Sequence, residues 1–271
     1  MKDLIIVRGG GDLATGTIYK LYQCGFQVLI LEVKNPSAIR RNVAFSEAVY
    51  QGQQTVEDVT CYHAETLEQA KAMLQEGKLV VFVDPKGESI TQLKPVAVVD
   101  AILAKKNLGT HRGMAPITVA LGPGFVAGDD VDAVVETKRG HNLGRVLWEG
   151  TAAPNTGVPG IIGGYGKERV IHSPVEGVLR NVCKITDTVQ NGQVIAVVET
   201  AQGNVPIHAT LDGLLRGLIR DGYSVAKGFK IADIDPRTEE YQNCFTISDK
   251  ARCIAGGVVE AILHLKGARH I

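Results

Sequence analysis

The feature that most narrows what this chain can fold into is an internal repeat. Residues 172–196 and 208–232 match without gaps at a constant offset of 36 residues. His172-Ser-Pro-Val-Glu-Gly177-Val-Leu-Arg180 answers His208-Ala-Thr-Leu-Asp-Gly213-Leu-Leu-Arg216. Val189, Gly192, Ile195 and Ala196 answer Val225, Gly228, Ile231 and Ala232. A fixed period marks a duplicated supersecondary unit. Each copy holds only short apolar β segments and glycine turns, too little to bury an apolar face alone. The two copies are therefore expected to close on one another as a small β domain.

That layout resembles the barrel-sandwich hybrid, or hammerhead, of biotinyl and lipoyl domains. In those domains the hairpin between the halves displays a modified lysine. Here the junction reads Glu199-Thr-Ala-Gln202-Gly-Asn-Val-Pro-Ile-His-Ala209, and Gln202 falls where the lysine would be. An amide cannot form the carrier linkage, so the carrier function does not transfer. His172 and His208 hold equivalent places in the two copies. With no third ligand evident, no metal is expected, and both are read as making the same structural hydrogen bond.

The N-terminal half alternates strands and helices. Leu4–Val7 is an apolar run fit for a buried parallel strand. It leads into Arg8-Gly9-Gly10-Gly11, a helical pattern ending near Gly25, and a second apolar run, Val28–Leu31, ending at Glu32. Thr66 and Gln69 are spaced as a capping box for a helix to Gly77. Leu79–Val83, Ile117–Leu121 and Ala133–Glu136 read as strands, and Val96–Lys106 as a helix. The alternation predicts an α/β fold: a Rossmann-like doubly wound parallel sheet, plus the small all-β barrel-sandwich hybrid. The expected divisions are 1–165 for a nucleotide-binding domain, 166–237 for the β domain, and 238–271 for a terminal segment. A helix over about Gly257–Leu265 is expected to pack on a domain face there.

Gly9-x-Gly11-x-x-Ala14 fits the dinucleotide fingerprint in its proper context, with a strand before, a helix after and Glu32 downstream. In such a motif Gly9 permits the turn, Gly11 lets a diphosphate approach, and Ala14 lets helix and strand pack closely. The N–H groups at the helix start, with Gly10 and Asp12, then face the phosphates. Glu32 could accept from a ribose hydroxyl. Lys34, Arg40 and Arg41 follow closely, so the choice between NAD and NADP stays open. Ligands of open parallel sheets sit beyond the carboxyl ends of the strands. Gly122, Gly124, Glu136, Arg139 and His141 fall at such ends, as does Asp84. Arg139, His141 and Arg145 add anion contacts to that rim.

The formal net charge is zero. That disfavours a non-specific nucleic-acid or anionic-membrane binder. No apolar run is long enough to span a bilayer, and the start of the chain does not read as a signal peptide. Five scattered cysteines describe neither a disulfide framework nor a zinc site, so a cytoplasmic location is expected. Cys61, near His63, is the one candidate for a reactive thiol. Cys24 and Cys183 are read as core. No catalytic set is legible, and the chain is not assigned an enzymatic activity.

The motifs GGGDLATG at 9–16, LGPGF at 121–125, ETKRGHNLGR at 136–145, NTGVPG at 155–160 and DIDPR at 233–237 stand in this order ahead of and around the lysine-less repeat. Together they resemble the YqeB-type accessory proteins of selenium-dependent molybdenum hydroxylases, across nearly the whole chain. The resemblance implies a role in hydroxylase maturation. The partners it implies are the hydroxylase or its cofactor-maturation proteins and a small-molecule nucleotide. The ligand at Gly9–Ala14 is then NAD(P) or a molybdopterin-type nucleotide. A plain NAD(P)-dependent oxidoreductase and a non-catalytic adaptor that docks on the hydroxylase are the competing readings.

Overall fold

A computed structural model describes residues 3–270. The chain divides into two units. The first comprises 1–36, 44–156 and 247–271, and the second 37–43 and 157–246.

In the first unit the strands are β1 (Leu4–Arg8), β2 (Gln27–Glu32), β3 (Gln53–Val56), β4 (Val59–Ala64), β5 (Leu79–Val83), β6 (Ala97–Asp100), β7 (Ile117–Leu121), β8 (Ala133–Val135) and β9 (Val146–Leu147). Among the described residues they form one sheet in the order β3-β4-β5-β2-β1-β6-β7-β8-β9. The helices are α1 (Asp12–Gln23), the single turns α2 (Ala48–Gln51) and α4 (Ile90–Leu93), α3 (Leu67–Gln75) between them, and α5 (Asp249–Arg269). β1, β2, β5, β6, β7 and β8 run parallel, and their central residues are buried, as strands covered on both faces must be. Ile6, Leu29, Val80 and Val98 meet Ala70 and Leu74 of α3 on one face. On the other, α1 lies along α5, which also reaches β7 and β8. Thr66 caps α3 by accepting from the Gln69 N–H at 3.1 Å, while the Gln69 side chain accepts from the Glu65 N–H. No helix among the described residues is long and apolar enough to cross a membrane.

This topology corrects the expected Rossmann-like doubly wound parallel sheet with a barrel-sandwich hybrid. The large sheet is mixed, with antiparallel pairs β3–β4 and β8–β9 at its two edges. The second unit contributes two separate antiparallel sheets. Val96–Lys106 is not a helix either. Ala97–Val99 are completely buried between β1 and β7, and the chain leaves as a loop. A short apolar run carries no periodicity that separates a buried strand from a buried helix, and burial on both faces decides for the strand. The terminal helix is longer than expected, starting at Ser248, whose hydroxyl accepts from the Ala251 N–H.

The second unit holds β10 (Val170–His172), β11 (Gly177–Asn181), β12 (Thr188–Val189), β13 (Val194–Thr200), β14 (Gly203–His208), β15 (Gly213–Leu218), β16 (Ser224–Val225) and β17 (Lys230–Asp235). The sheets run β10-β17-β15-β12 and β14-β13-β11-β16. The repeat explains this exchange. The first copy supplies β11, β12 and β13, the second β15, β16 and β17. Each copy lends its two-residue strand to the other copy's sheet. One apolar cluster, including Leu179, Ile195, Val198, Leu215 and Ile231, fills the interior. The paired glycines have one cause. A Cβ on Gly177 would lie 2.3 Å from the Glu199 carbonyl oxygen, and one on Gly213 would lie 2.4 Å from that of Asp235. Gln202 sits exposed at the β13–β14 turn.

Candidate functional site

The glycine turn is built by its neighbours. Gly9 takes φ +92°, and its N–H donates to the Leu31 carbonyl at 2.8 Å. A Cβ there would sit 3.0 Å from the Ile102 Cα, so backbone packing as well as conformation requires glycine. The Gly10 N–H donates to Glu32 Oε2 at 2.8 Å, and its carbonyl accepts from the Ser46 N–H at 2.9 Å. Gly11 differs. Its φ of −66° suits any residue, and a Cβ there would meet nothing within 4 Å. The space beside Gly11 opens at the start of α1, where the first N–H groups of a helix lack carbonyl partners of their own. Ala14, one turn in, is buried.

Glu32 serves the turn itself. Its second oxygen accepts from the Val33 N–H at 2.8 Å, so both oxygens hold backbone. Burial raises its pKa, against the lowering effect of these two hydrogen bonds. The contact available to a ribose is thus shared with the turn that a phosphate would approach.

Beneath the turn lies a cluster that sequence reasoning missed. Arg8 is 2% exposed and donates to Thr110 Oγ1 at 2.5 Å and to the Pro85 carbonyl at 3.0 Å. The Thr110 hydroxyl donates in turn to Asp100 Oδ2 at 2.5 Å, and Arg8 and Asp100 stand 3.8 Å apart. Burial raises the Asp100 pKa, countered by Thr110, the Ile102 N–H and Arg8. A charged residue closing the apolar run of β1 is the one local sign of this cluster; its partners are distant in sequence.

The other strand ends follow the same logic. Burial pulls the Asp84 pKa up, but the Ser89 hydroxyl and the N–H groups of Ser89, Glu88 and Gly87 outweigh it and leave it lowered. Asp84 also lines a cleft of about 410 Å³ with Leu67, Phe82, Pro85 and Lys86. Gly122 (φ +73°) packs on Thr137, and Gly124 (φ +112°) on the Lys106 backbone. Glu136 is buried and accepts from the N–H groups of Thr137, Lys138 and Ala153, each at 2.7 Å, which fixes the loop that carries Arg139 and His141. Arg139 pairs in two hydrogen bonds, 2.8 and 3.1 Å, with Asp249 in the first turn of α5. His141 is exposed on that loop, and the Arg145 guanidinium donates to Asn142 Oδ1.

Lys250 was also missed. It is half-buried, and its pKa is lowered by burial and then by Arg139, while Asp12, Glu136 and Asp249 act in the opposite sense. Ser248-Asp249-Lys250 reads as a helix start, and nothing in that pattern points back to the glycine turn.

Cys61 is corrected as a thiol candidate. It is fully buried in β4, and burial pushes its pKa well above the usual thiol value, which suppresses the reactive thiolate. Cys24 is exposed at the end of α1 rather than in the core. His208 Nδ1 lies 2.8 Å from the Gly192 carbonyl oxygen, and both repeat histidines are exposed. No group of three or more His, Cys, Asp or Glu among the described residues is placed to hold a metal ion.

No protein-family model matches the chain. The solved structures it resembles are distant. The apo ectoine utilization protein EutE (DoeB) of Ruegeria pomeroyi aligns at a TM-score of 0.26 and 8% identity, covering 86% of each chain. An aspartoacylase family protein of Mesorhizobium loti aligns at 0.27 and 11%, covering 86% of this chain and 84% of that one. In contrast, 262 residues, 97% of this chain, are 50% identical to an Escherichia coli (strain K12) protein named only as uncharacterized protein YqeB. The chain spans about half of that relative, 48% of its length. Over nearly all of its own residues, this chain is therefore similar to YqeB.

Proposed function

We propose that the chain is an accessory protein in the maturation of selenium-dependent molybdenum hydroxylases. Its first unit binds a phosphate-bearing ligand, a soluble nucleotide or a molybdopterin-type cofactor, at the glycine turn. Its partners in this role are the hydroxylase or the proteins that prepare its cofactor. The observation that carries the binding reading is the contrast between the glycines. Gly9 and Gly10 are explained by packing against Ile102 and Ser46, whereas Gly11 borders open space at the start of α1. A side chain is absent where a ligand would come closest to the backbone. Lys250, half-buried in the first turn of α5, is a further positive charge on the same unit. The motif set supports the pathway, and cysteines that are all free are compatible with a reducing, cytoplasmic setting.

Titration calorimetry with NAD, NADP, ATP, CTP and released molybdopterin tests the reading. One of these is expected to bind, and Gly11→Val is expected to weaken it by about tenfold or more, since a β-branched side chain fills the approach to the helix start. Gly11 has a backbone conformation valine adopts readily, so the variant should still fold, losing about 1 kcal/mol because valine is a poor residue at the start of a helix. Equal binding by the variant would remove the site. Turnover of an alcohol or aldehyde with bound NAD(P) would favour the oxidoreductase instead.

A further inference from the structure

The cleft of about 410 Å³ beside Asp84 lies apart from the glycine turn, and its lining has a different character. Clefts of roughly 300–1,000 Å³ with apolar walls and a few placed polar groups are the usual receptacles of small molecules. The floor here is apolar. Phe82 and Val83 end β5 half-buried, whereas Leu79, Val80 and Val81 before them are buried. Leu67, the first residue of α3, and Pro85 add to the apolar lining. Phe82 also packs on the core that contains Ala70 and Leu74, so its ring is held in place while part of it stays open.

One wall of the cleft is a loop whose shape is set from within. Asp84 Oδ1 accepts from the Gly87 and Glu88 N–H groups at 2.9 and 3.0 Å, and Oδ2 accepts from the Ser89 N–H and hydroxyl at 2.8 and 2.7 Å. Asp84 and Ser89 are both buried. The carboxylate is thus engaged by its own loop and is not offered to a ligand. Two further bonds tie the wall to the sheet. The Asp84 N–H donates to the Glu32 carbonyl at 3.1 Å, and the buried Arg8 guanidinium donates to the Pro85 carbonyl at 3.0 Å. These bonds join the cleft to the end of β2 and to the residue before Gly9. A wall fixed in advance spares a ligand the entropy of ordering it.

The other polar side chains of the lining are Lys86, Glu88 and Gln92, all exposed. An ammonium only donates, a carboxylate only accepts, and an amide does both. The formal charges of Lys86 and Glu88 cancel, so this rim does not select an anion, and a phosphate would meet a carboxylate as well as an ammonium. A purely aliphatic ligand would leave all three groups without bonds. A flat heterocycle suits both parts of the lining, because its face stacks on an aromatic ring and its edge carries donors and acceptors.

We infer that this cleft holds an uncharged, flat nitrogen heterocycle, the ring of a nucleobase or of a pterin, with its face on Phe82 and its edge toward Lys86, Glu88 and Gln92. The two ring types share this chemistry, and the cleft is the part of the molecule that tells them apart. The inference rests on the phosphate-binding reading of the glycine turn only in joining ring and phosphate within one ligand. The bonds through Glu32 and Arg8 support that joining, since they hold the cleft and the turn on adjacent strands.

The test titrates the full chain with phosphate-free probes, namely adenosine, guanosine, cytidine and neopterin, followed by nuclear magnetic resonance. At least one is expected to bind, a nucleoside marking a base site and neopterin a pterin site. Phe82→Leu keeps an apolar side chain against the core but removes the ring face, and should weaken that probe about tenfold. Gln92→Ala, at an exposed position of α4, guards against a misfolded Phe82 variant and should weaken it about threefold. The phosphate-bearing counterpart of the probe should lose the same factors. If no probe binds while a phosphate-bearing nucleotide does, the cleft assignment falls and the glycine-turn reading stands. It falls as well if both variants bind the probe as tightly as the parent. A phosphate-bearing counterpart indifferent to both variants would break the link between ring and phosphate and overturn the inference that one ligand spans both places.

Discussion

Buried carboxylates at the ends of strands do opposite things in this molecule, and the difference lies in how many donors each one finds. Glu32 and Asp100 have raised pKa values because burial outweighs their hydrogen bonds. Asp132 is buried too, but hydrogen bonds from Arg269 and from the Thr118 N–H and hydroxyl outweigh the burial and lower its pKa. Arg112 adds a further bond at 2.9 Å. A lowered folded pKa means that Asp132 contributes stability above its unfolded value of 3.8, and that the contribution is lost as pH falls through the folded value. Asp132→Asn is therefore expected to cost about 2 kcal/mol at pH 7, chiefly through Thr118, because Arg112 and Arg269 both reach water and are screened. Urea titrations at pH 7 and below pH 3 check the sign: the gap between parent and variant should narrow in acid, and a gap that widens would refute the assignment. Legibility at this scale was uneven. The glycine fingerprint stood out because its residues are contiguous. Arg8, Thr110 and Asp100 did not, because nothing local in the sequence pairs a residue with one a hundred positions away.

At the scale of elements, the contact between α1 and α5 depends on one glycine, Gly16. A Cβ on Gly16 would lie 2.7 Å from the Ala251 Cβ and 2.8 Å from its backbone, which cannot swing aside. Gly16→Ala gains helix propensity of about 1 kcal/mol. It must also push the two helices apart, and overpacking of about 1–3 kcal/mol or more should exceed that gain. Gly256→Ala is the control on α5 itself. A Cβ there meets nothing within 4 Å, so only the propensity term remains and the variant should be more stable, by about 0.5–1 kcal/mol. Thermal unfolding of both variants should move the midpoint in opposite directions, and a stabilised Gly16→Ala would mean the helices do not approach this closely. The strands of the first unit with strong apolar runs were readable from sequence. The edges were not, since β3 and β9 are short and partly exposed and carry little apolar signal. β6 passes for a helix for another reason, since its short buried apolar run shows no period of either kind.

For the molecule as a whole, the repeat located the β unit but not its full membership. The chain visits that unit twice, once for Ser37–Val43 and again for 157–246, while α5 belongs to the first unit. No composition shift marks the seven-residue visit, because what assigns it is backbone pairing with residues far downstream. The Leu218 N–H donates to the Ile39 carbonyl at 2.9 Å, and Arg41 Nε donates to the Leu218 carbonyl at 2.8 Å. Arg40 donates to the Asn243 carbonyl at 2.8 Å, and Ile39 packs on the β-unit core beside Gly217. Gly217 has no side chain because Ile39 occupies its place: a Cβ there would lie 2.7 Å from Ile39 Cγ2. A fragment of 157–246 alone should therefore lack an integral part of its structure. Three hydrogen bonds at about 1 kcal/mol each and the burial of Ile39 are opposed by the entropy of ordering the segment, so fusing 37–43 through a flexible linker should raise its stability by about 1–3 kcal/mol. Urea unfolding followed by circular dichroism compares the two fragments. If 157–246 unfolds at the same midpoint with and without the added segment, Ser37–Val43 is a passing linker and the unit is complete without it.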